Sequence, residues 1–396
     1  MKKSKRILAA TLLAGLLVLT ACNSESAPNG ENGAETTPES SETATEAVTE
    51  PMTINQDIPS DQEILSKGPH GEEAVSAKTL ELTVEDIEKI REGNYKAALV
   101  MHYAGNDWSN AQINGLQAAF EKMGIEVISV TDAQFSAEKQ VSDLESVLAR
   151  NPDIIVSIPT DPVSTASAYK RAAEQGVKLV FMDNVPSNLE HGTDYVSVVS
   201  ADNYGNGVAA ADIMAEQLGG EGKVGVVYHD ADFFVTKQRT EAFEATMAEK
   251  YPNIEIVARG GIMGPDDGLQ VASAMLTTNP DLDGIFGVWD VPTEGILAAA
   301  RTAGRDDLVI TTIDLGTNVG LDIARGGPIK GLGAQLPYDQ GTAEAILAGY
   351  ALLGKEAPSY VAVPALTVTQ DNILDAWEMV YQTSAPQEIQ DVANQQ

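Results

Sequence analysis

The sequence predicts an α/β protein with two doubly wound lobes, each built on a parallel sheet that is covered by helices. Apolar runs of four to six residues alternate with longer helical stretches from Lys96 onward. About ten such runs are more strands than one open sheet holds comfortably, so two sheets share them more naturally. A weak repeat supports this division, because Asn151-Pro152-Asp153 and Asn279-Pro280-Asp281 each lead through a turn toward an apolar run.

Each lobe is expected to consist of strands joined by amphipathic helices. Strands that are buried on both faces need continuous apolar runs. The candidates are Ala97 to Met101, Val127 to Val130, Ile154 to Ile158, Leu179 to Met182, Val196 to Val199, Val224 to Tyr228, Ile254 to Val257, Ile285 to Val288, Leu308 to Ile313 and Gly331 to Ala334. One apolar stripe at helical spacing occurs at Leu116/Ala119/Phe120/Met123, Ala211/Met214/Ala215/Leu218 and Ala343/Ile346/Leu347/Tyr350.

The N-terminus predicts export. Four cations between residues 2 and 6 precede an apolar run, residues 7–21, that is too short for a typical membrane span. Residues 1–21 therefore have the pattern of a secretory signal peptide. The run ends Leu19-Thr20-Ala21-Cys22, which resembles the lipobox of bacterial lipoproteins and predicts lipidation of Cys22.

The segment between the signal peptide and the body is expected to be a spacer. Residues 22–60 are rich in Ser, Thr and Glu, and no Lys or Arg occurs between Arg6 and Lys67, so a disordered acidic tether is predicted. Residues 61–95 form a predicted N-terminal extension with a short helix. This helix should start near Thr83, where the pattern of a capping box begins, and stop at Gly93.

Composition excludes several classes of function. The chain has 58 acidic and 25 basic residues, a net charge of −33, so a nucleic-acid partner is not expected. The single cysteine rules out an intramolecular disulfide and a Cys-ligated zinc site, and four histidines leave little for metal binding, so no metal is expected. No P-loop and no G-x-S-x-G motif occur, and the glycine clusters precede strands, so neither a cofactor nor catalytic residues are predicted.

The residues that follow the strands carry the functional information, because ligands of open α/β sheets bind beyond the carboxyl ends of the strands. These residues are polar or aromatic and run from His102 to Trp108, then Asp183-Asn184, His229-Asp230, Trp289-Asp290 and Asp314. Two carboxylates such as Asp183 and Asp314 could do acid/base work, but they are equally what a polyol needs as acceptors.

Motifs spread over both lobes now point to a family. They are Asn106 to Trp108, Ile158-Pro159-Thr160-Asp161, Val180 to Asn184, Ser200 to Asn203, Gln238-Arg239, Asn279-Pro280-Asp281, Trp289-Asp290, Ile313-Asp314 and Ala334 to Pro337. In this order, from about Lys96 to Gln382, the chain resembles the periplasmic binding proteins of the ribose and galactose type, the soluble receptors of sugar ABC importers.

The resemblance implies the type I fold of these proteins, in which two lobes exchange chain through a three-stranded hinge. The crossovers would lie near Asp202, Gln335 and Val363. The implied N-terminal lobe is residues 96–201 plus 336–362, and the implied C-terminal lobe is residues 202–335 plus 363–383, followed by a polar tail, residues 384–396. The ligand would lie in the cleft between the lobes.

The resemblance also assigns candidate ligand contacts. Asn106 and Trp108 match a polar contact and a stacking ring, Asp183 and Asp314 match hydroxyl acceptors, Arg239 a donor, and Gln335 a hinge amide. Asn184, Trp289 and His229 complete the predicted set by position.

The chain departs from the ribose pattern at three positions. Asn184 replaces an Arg, Ser109 an aromatic residue and Trp289 an Asn. Ribose itself is therefore not the expected ligand.

The sequence thus predicts a monomeric, lipid-anchored, extracytoplasmic binding protein that delivers a neutral sugar or polyol to an ABC permease and ATPase. One cation against two or three carboxylates disfavours an anionic ligand. The alternative is a sensing subunit of the same fold that signals to a membrane receptor. A transcription regulator with this core is contradicted by the export signal and by the lack of a basic helix pair before Lys96.

Overall fold

A computed structural model describes residues 48–59 and 63–395. The predicted signal peptide (1–21), the lipidation residue Cys22 and most of the predicted tether lie outside the described residues. Within the described part of the chain, none of the helices combines the length and the apolar character needed to cross a bilayer.

The described residues form thirteen strands. They are β1 (Val75–Ser76), β2 (Lys96–Met101), β3 (Glu126–Asp132), β4 (Ile154–Ser157), β5 (Lys178–Met182), β6 (Ser197–Ala201), β7 (Gly222–His229), β8 (Ile254–Ile262), β9 (Gly284–Gly287), β10 (Val309–Ile313), β11 (Ile329–Ala334), β12 (Tyr360–Val363) and β13 (Leu366–Thr369). All ten predicted strands are present, and β1, β12 and β13 are additional. Central strands such as β4 are buried throughout, which explains their apolar runs.

The strands form two sheets, and each sheet is the centre of one lobe. The first sheet has the spatial order β1-β12-β6-β5-β4-β2-β3, and the second has the order β13-β11-β10-β9-β7-β8. All neighbours are parallel except β11 and β13, which are antiparallel. The predicted two-lobe α/β architecture is therefore confirmed.

Helices cover both sheets. They are α1 (Val84–Arg91), α2 (Asp107–Lys122), α3 (Ala137–Leu148), α4 (Ala166–Glu174), α5 (Asn203–Gln217), α6 (Phe234–Lys250), α7 (Gly268–Thr278), α8 (Asp290–Thr302), α9 (Thr317–Ala324), α10 (Pro337–Leu353), α11 (Ile373–Tyr381) and α12 (Gln387–Ala393). Short 3-10 helices cover Ala77–Thr79, Pro265–Asp267 and Gln370–Asn372.

The chain passes between the lobes at three places. It leaves the first sheet after β6 to enter α5, returns after β11 to enter α10, and leaves again between β12 and β13. At this hinge the backbone N–H of Asp202 donates to the carbonyl of Val363 at 2.8 Å. These positions match the three crossovers that the resemblance implied.

The N-terminal extension is part of the folded body. The predicted short helix is α1, and Thr83 and Asp86 form the capping box at its start. Met52, Ile54 and Ile58 are buried in the same core as the sheets, with at most 3% of each residue exposed. The predicted tether therefore ends before Met52, and its boundary at residue 60 is wrong because these apolar side chains pack on the body.

Helix α10 differs from its expected single apolar stripe. Every residue from Asp339 to Gly349 is buried. The reason is that α2 packs on one side and the extension covers another, with Leu82 and Ile90 approaching Gly349. A helix that is covered on all sides needs no solvent-facing polar stripe.

Candidate functional site

The carboxyl ends of strands from both sheets meet around one cavity of about 70 Å³. This volume is several times what a single water needs, and it suits a small ligand. The lining residues come from loops after the strands and from the first turns of helices: His102, Tyr103, Asn106, Trp108, Phe135, Ile158, Asp183, His229, Phe233, Val235, Thr236, Arg239, Trp289, Asp314 and Gln335.

Two aspartates occupy equivalent positions in the two lobes. Asp183 follows β5 and Asp314 follows β10, with φ of 57° and 70°. Each backbone N–H donates to the neighbouring strand, Asp183 to the carbonyl of Val199 at 2.9 Å and Asp314 to that of Gly333 at 3.0 Å. Left-handed backbone is costly for most residues, and Asp is among the types that tolerate it. The sheets thus hold two carboxylates at the cavity in a constrained conformation.

Arg239 and Asp314 form a buried ion pair on the second lobe. Their Nη1 and Oδ2 atoms are 3.1 Å apart. Gln335 Nε2 donates to the other oxygen of Asp314 at 2.8 Å, and Arg239 Nε donates to Asn203 Oδ1 at 2.8 Å. This network fixes both charged groups before a ligand arrives, so their geometry is preorganised.

Asp183 lies in a different electrostatic environment. Its Oδ1 accepts from Ser200 Oγ at 2.6 Å, but burial dominates and raises the pKa of this carboxyl to about 6. Burial, and then the charge of Asp314, also raise the pKa of the nearby Asp290 well above its ordinary value. Three carboxyl groups therefore share the region with the single guanidinium of Arg239, which makes it unfavourable for an anionic ligand.

Aromatic rings form the remaining walls. His102 of the first lobe stacks on Phe233 of the second, with ring centroids 5.5 Å apart and planes 21° apart. Trp108 meets the edge of His102 at 6.3 Å, and Trp289 meets His229 at 5.2 Å. Rings contributed by both lobes can cover the C–H faces of a sugar.

Two histidines in this wall are held neutral. Burial, followed by the charge of His229, lowers the pKa of His102 to about 3. Burial, followed by the charge of Arg239, also lowers the pKa of His229, whose Nδ1 lies 3.2 Å from Thr236 Oγ1. Neutral imidazoles offer one donor and one acceptor each, which suits hydroxyl groups.

Several buried polar atoms at the cavity have no protein partner. Among the described residues these include His102 Nδ1, Trp108 Nε1 and Gln335 Oε1. A buried polar group without a hydrogen bond is costly, so such groups require an explanation. Together they supply an indole donor, an amide acceptor and an imidazole nitrogen of either role.

Eight of the nine predicted contact residues line the cavity: Asn106, Trp108, Asp183, His229, Arg239, Trp289, Asp314 and Gln335. Asn106 also caps α2, because its Oδ1 accepts from the N–H of Ser109 at 3.0 Å.

Asn184 does not line the cavity. Its Oδ1 accepts from the N–H of Phe234 at 3.2 Å and its Nδ2 donates to the carbonyl of Pro159 at 3.3 Å. The structure therefore places Asn184 between the lobes and not in the cavity wall.

Other wall residues were not among the nine predicted contacts, chiefly His102, Tyr103, Phe135 and Phe233. The strand-end rule pointed to the stretch from His102 to Trp108, but only Asn106 and Trp108 of that stretch were predicted as contacts. Phe135 and Phe233 lie further along their loops, and only the tertiary fold brings them to His102, at 5.0 and 5.5 Å. Within the described chain, the His, Asp and Glu side chains make no cluster of three or more suited to a metal ion.

The sequence of the chain matches a known protein family. A family model described as "Periplasmic binding protein domain" matches residues 97–356. The ribose import binding protein of Escherichia coli (strain K12) is 27% identical over 280 residues, which are 69% of this chain and 91% of that protein.

Solved structures agree with this match. A solute-binding protein of an ABC transporter from Agrobacterium vitis, bound with α-D-tagatopyranose, is 25% identical with a TM-score of 0.67, and covers 72% of this chain and 99% of its own. An arabinose-binding protein from Geobacillus stearothermophilus is 26% identical with a TM-score of 0.63, over 71% of this chain and 98% of its own.

Proposed function

Because the chain belongs to the periplasmic binding protein domain family, which consists of binding proteins and not enzymes, we propose that it captures a neutral sugar or polyol. The ligand occupies the cavity between the two lobes. No bond in the ligand is made or broken, so the task of the site is recognition and release.

One observation carries this proposal: stacking rings and preorganised hydrogen-bonding groups from both lobes surround one small cavity. Asp183 and Asp314 provide acceptors, while Trp108 Nε1 is a buried donor without a protein partner. A polyol has hydroxyl groups that both donate and accept, together with apolar C–H faces that pack against rings. The cavity offers a partner to each of these features.

The charge of the cavity favours a neutral ligand. Arg239 is already paired with Asp314 at 3.1 Å, and Asp183 adds a further buried acidic group. An anionic ligand would have to displace the Asp314 contact or face the carboxylates unpaired. A bulky Trp289 in the wall gives the cavity its own shape, so we propose a sugar or polyol other than ribose.

The proposal extends to the cellular location. The N-terminal sequence supports export followed by lipid attachment at Cys22, with the acidic segment after it acting as a spacer. A receptor held outside the membrane then passes its ligand to an ABC permease, which is powered by an ATPase. The relatives with import and transporter names support this assignment.

A thermal-shift screen of the full chain tests the ligand class. The panel contains D-ribose, D-arabinose, D-tagatose, D-allose, glycerol, sugar alcohols and nucleosides. A ligand that binds only the folded protein raises the melting temperature in a concentration-dependent manner. We expect a neutral sugar or polyol to do so, with calorimetry giving the dissociation constant.

Sugar phosphates and sugar acids serve as charged counterparts in the same screen. We expect no stabilisation from them, because the site lacks an unpaired cation. Stabilisation by anionic compounds alone would contradict the proposed ligand class.

A further inference from the structure

The segment 65–76 of the N-terminal extension, called here the strap, touches both lobes. It lies outside residues 97–356, which match the family model. We propose that the strap is a positioning element of the ligand site, which raises the share of molecules with the second lobe in the closed arrangement before any ligand binds. The inference goes beyond ligand capture, although its effect on affinity rests on the proposed function.

The strap is fixed to the first lobe on its C-terminal side. Its last residues form β1, which pairs in parallel with β12, Val75 opposite Val361. The preceding residues form a tight hairpin, in which the N–H of Gly68 donates to the carbonyl of Glu72 at 2.8 Å. Lys67 and Glu73 are bridged across this hairpin, with a 2.6 Å contact between Nζ and Oε1. The strap is therefore an ordered hairpin anchored on a sheet edge.

The strap is also bonded to the hinge. The carboxylate of Asp202, at the first crossover, accepts from the backbone N–H groups of Leu65 at 3.0 Å and Ser66 at 2.9 Å. The same carboxylate also accepts from the N–H of Gly205 at 2.9 Å, so Asp202 caps the N-terminus of α5 of the second lobe. In return, Ser66 Oγ accepts from the N–H of Tyr204 at 2.9 Å. Charge-assisted bonds to a buried carboxylate are stronger than neutral ones, so this junction is firm.

A further bond reaches the second lobe beside the ligand cavity. The carbonyl of Lys67 accepts from Gln238 Nε2 at 2.8 Å. Gln238 lies in α6 next to Arg239, which lines the cavity and pairs with Asp314. The strap thus connects the edge of the first sheet to the helix that carries the cationic group of the site. Movement of α6 away from the first lobe would break the Lys67–Gln238 bond.

Electron paramagnetic resonance distance measurements on the full chain test whether the strap favours the closed arrangement of the lobes. Spin labels on Ser146→Cys in α3 and Ser273→Cys in α7, both exposed, report the separation of the lobes. Cys22→Ser removes the natural cysteine. Gln238→Met removes the donor to the strap at similar size, and Gln217→Met, on an exposed position of α5, is the matched control.

We expect the ligand-free parent and the Gln217→Met control to share one distance distribution, in which a closed population at short distance stands beside an open one. Gln238→Met should shift the ratio of closed to open molecules toward open by about two- to tenfold, the effect of one lost neutral hydrogen bond. Ser66→Ala, which removes the acceptor for Tyr204, should shift it in the same direction. Circular dichroism confirms that the variants are folded.

The strap inference is overturned if the ligand-free distributions of Gln238→Met and Ser66→Ala equal that of the parent. This outcome is independent of whether a sugar binds. The probe for affinity is whichever of D-arabinose, D-tagatose and D-ribose binds the parent. The affinity of Gln238→Met for this sugar should be lower than that of the parent by the same factor as its ligand-free closed population. A parent that binds none of the panel would count against the proposed function while leaving the ligand-free comparison intact.

Discussion

Asp183 shows at the scale of one residue how the site is maintained at a cost to stability. It is buried, it has left-handed backbone, and burial raises its pKa to about 6. In the unfolded chain the pKa of Asp is about 3.9. Between about pH 4 and 6 the Asp183 carboxyl is therefore protonated in the folded protein and ionised in the unfolded chain. The free energy of unfolding consequently falls as the pH rises through this range.

We expect Asp183→Asn to increase the free energy of unfolding at pH 7.5 by about 1 to 3 kcal/mol and to change it little near pH 4. Asn tolerates left-handed backbone, and its Oδ1 can still accept from Ser200. Denaturant unfolding at pH 7.5 and near pH 4 measures the free energy of unfolding of the parent and the variant. Asp306→Asn, at an exposed position, is the control. A variant less stable than the parent at pH 7.5 would show that burial is not the dominant cost.

Trp108 is expected to contribute both a stacking face and a donor. Trp108→Ala should weaken binding of the sugar found in the screen by about 1 to 3 kcal/mol, because the ring is lost. Trp108→Phe keeps a ring but removes Nε1, which has no protein partner, so a smaller loss of about 1 kcal/mol is expected.

Calorimetry separates these effects. Trp377→Phe is the control, since Trp377 contacts Tyr381 at a ring distance of 4.5 Å and lies outside the cavity wall. Equal affinities for the parent and Trp108→Ala would mean that the indole does not touch the ligand.

At the scale of secondary-structure elements, the extension stabilises α10 by covering it. Leu82 is fully buried and approaches Gly349 of that helix. Leu82→Ala should lower the free energy of unfolding by about 2 to 5 kcal/mol, as for other buried leucines. Leu65→Ala, in the same extension but 43% exposed, should change it by less than about 0.5 kcal/mol. Equal small losses in urea unfolding would indicate that the extension packs only loosely.

Which elements the sequence could predict depended on their length and burial, with one exception. β1 has only two residues and β13 is only partly buried, so neither leaves a continuous apolar run. β12 is the exception, because it is a buried apolar run of four residues, as long as the predicted β4 and β9, and the same rule could have found it. A different limit applied to α10, whose polar residues are buried. Glu344, for example, accepts from Gln112 Nε2 at 2.6 Å inside the lobe.

The site was predictable where it depends on strand ends and less so where it depends on the meeting of the lobes. Asp183 and Asp314 follow apolar runs directly, so topology alone brings them to the cavity. Phe233 reaches His102 only after the two lobes have come together. For Asn184 the strand-end rule gave the right region but the wrong role, because the side chain bonds to α6.

At the scale of the whole molecule, the lipid anchor and the folded body are expected to be separable. Cys22→Ala should move the protein from the membrane fraction to the soluble extracytoplasmic fraction, since it removes the only site for acylation that the lipobox predicts. Its affinity for the sugar should equal that of the parent, because the cavity is formed by residues 102–335. Retention of Cys22→Ala in washed membranes would argue against the lipobox assignment.

Ligand capture should depend on bonds that only the closed molecule makes. Besides the His102–Phe233 stack, Asp107 Oδ2 of the first lobe accepts from the N–H of Thr317 of the second at 2.7 Å. A ligand that contacts both lobes stabilises this closed form by its differential contacts. Small-angle X-ray scattering of the parent should show contraction when the sugar is added.

Asp107→Ala removes the contact with Thr317 without removing a wall residue of the cavity. It should therefore weaken affinity by about two- to tenfold, mainly through faster dissociation, because the closed form loses one bond while the direct contacts to the ligand remain. Asp306→Asn should dissociate at the parental rate. If the parent binds the sugar but scatters identically with and without it, the lobes do not close on the ligand. In that case the cavity of the structure would be the permanent form of the site, and ligand exchange would have to occur through local movement of its rings.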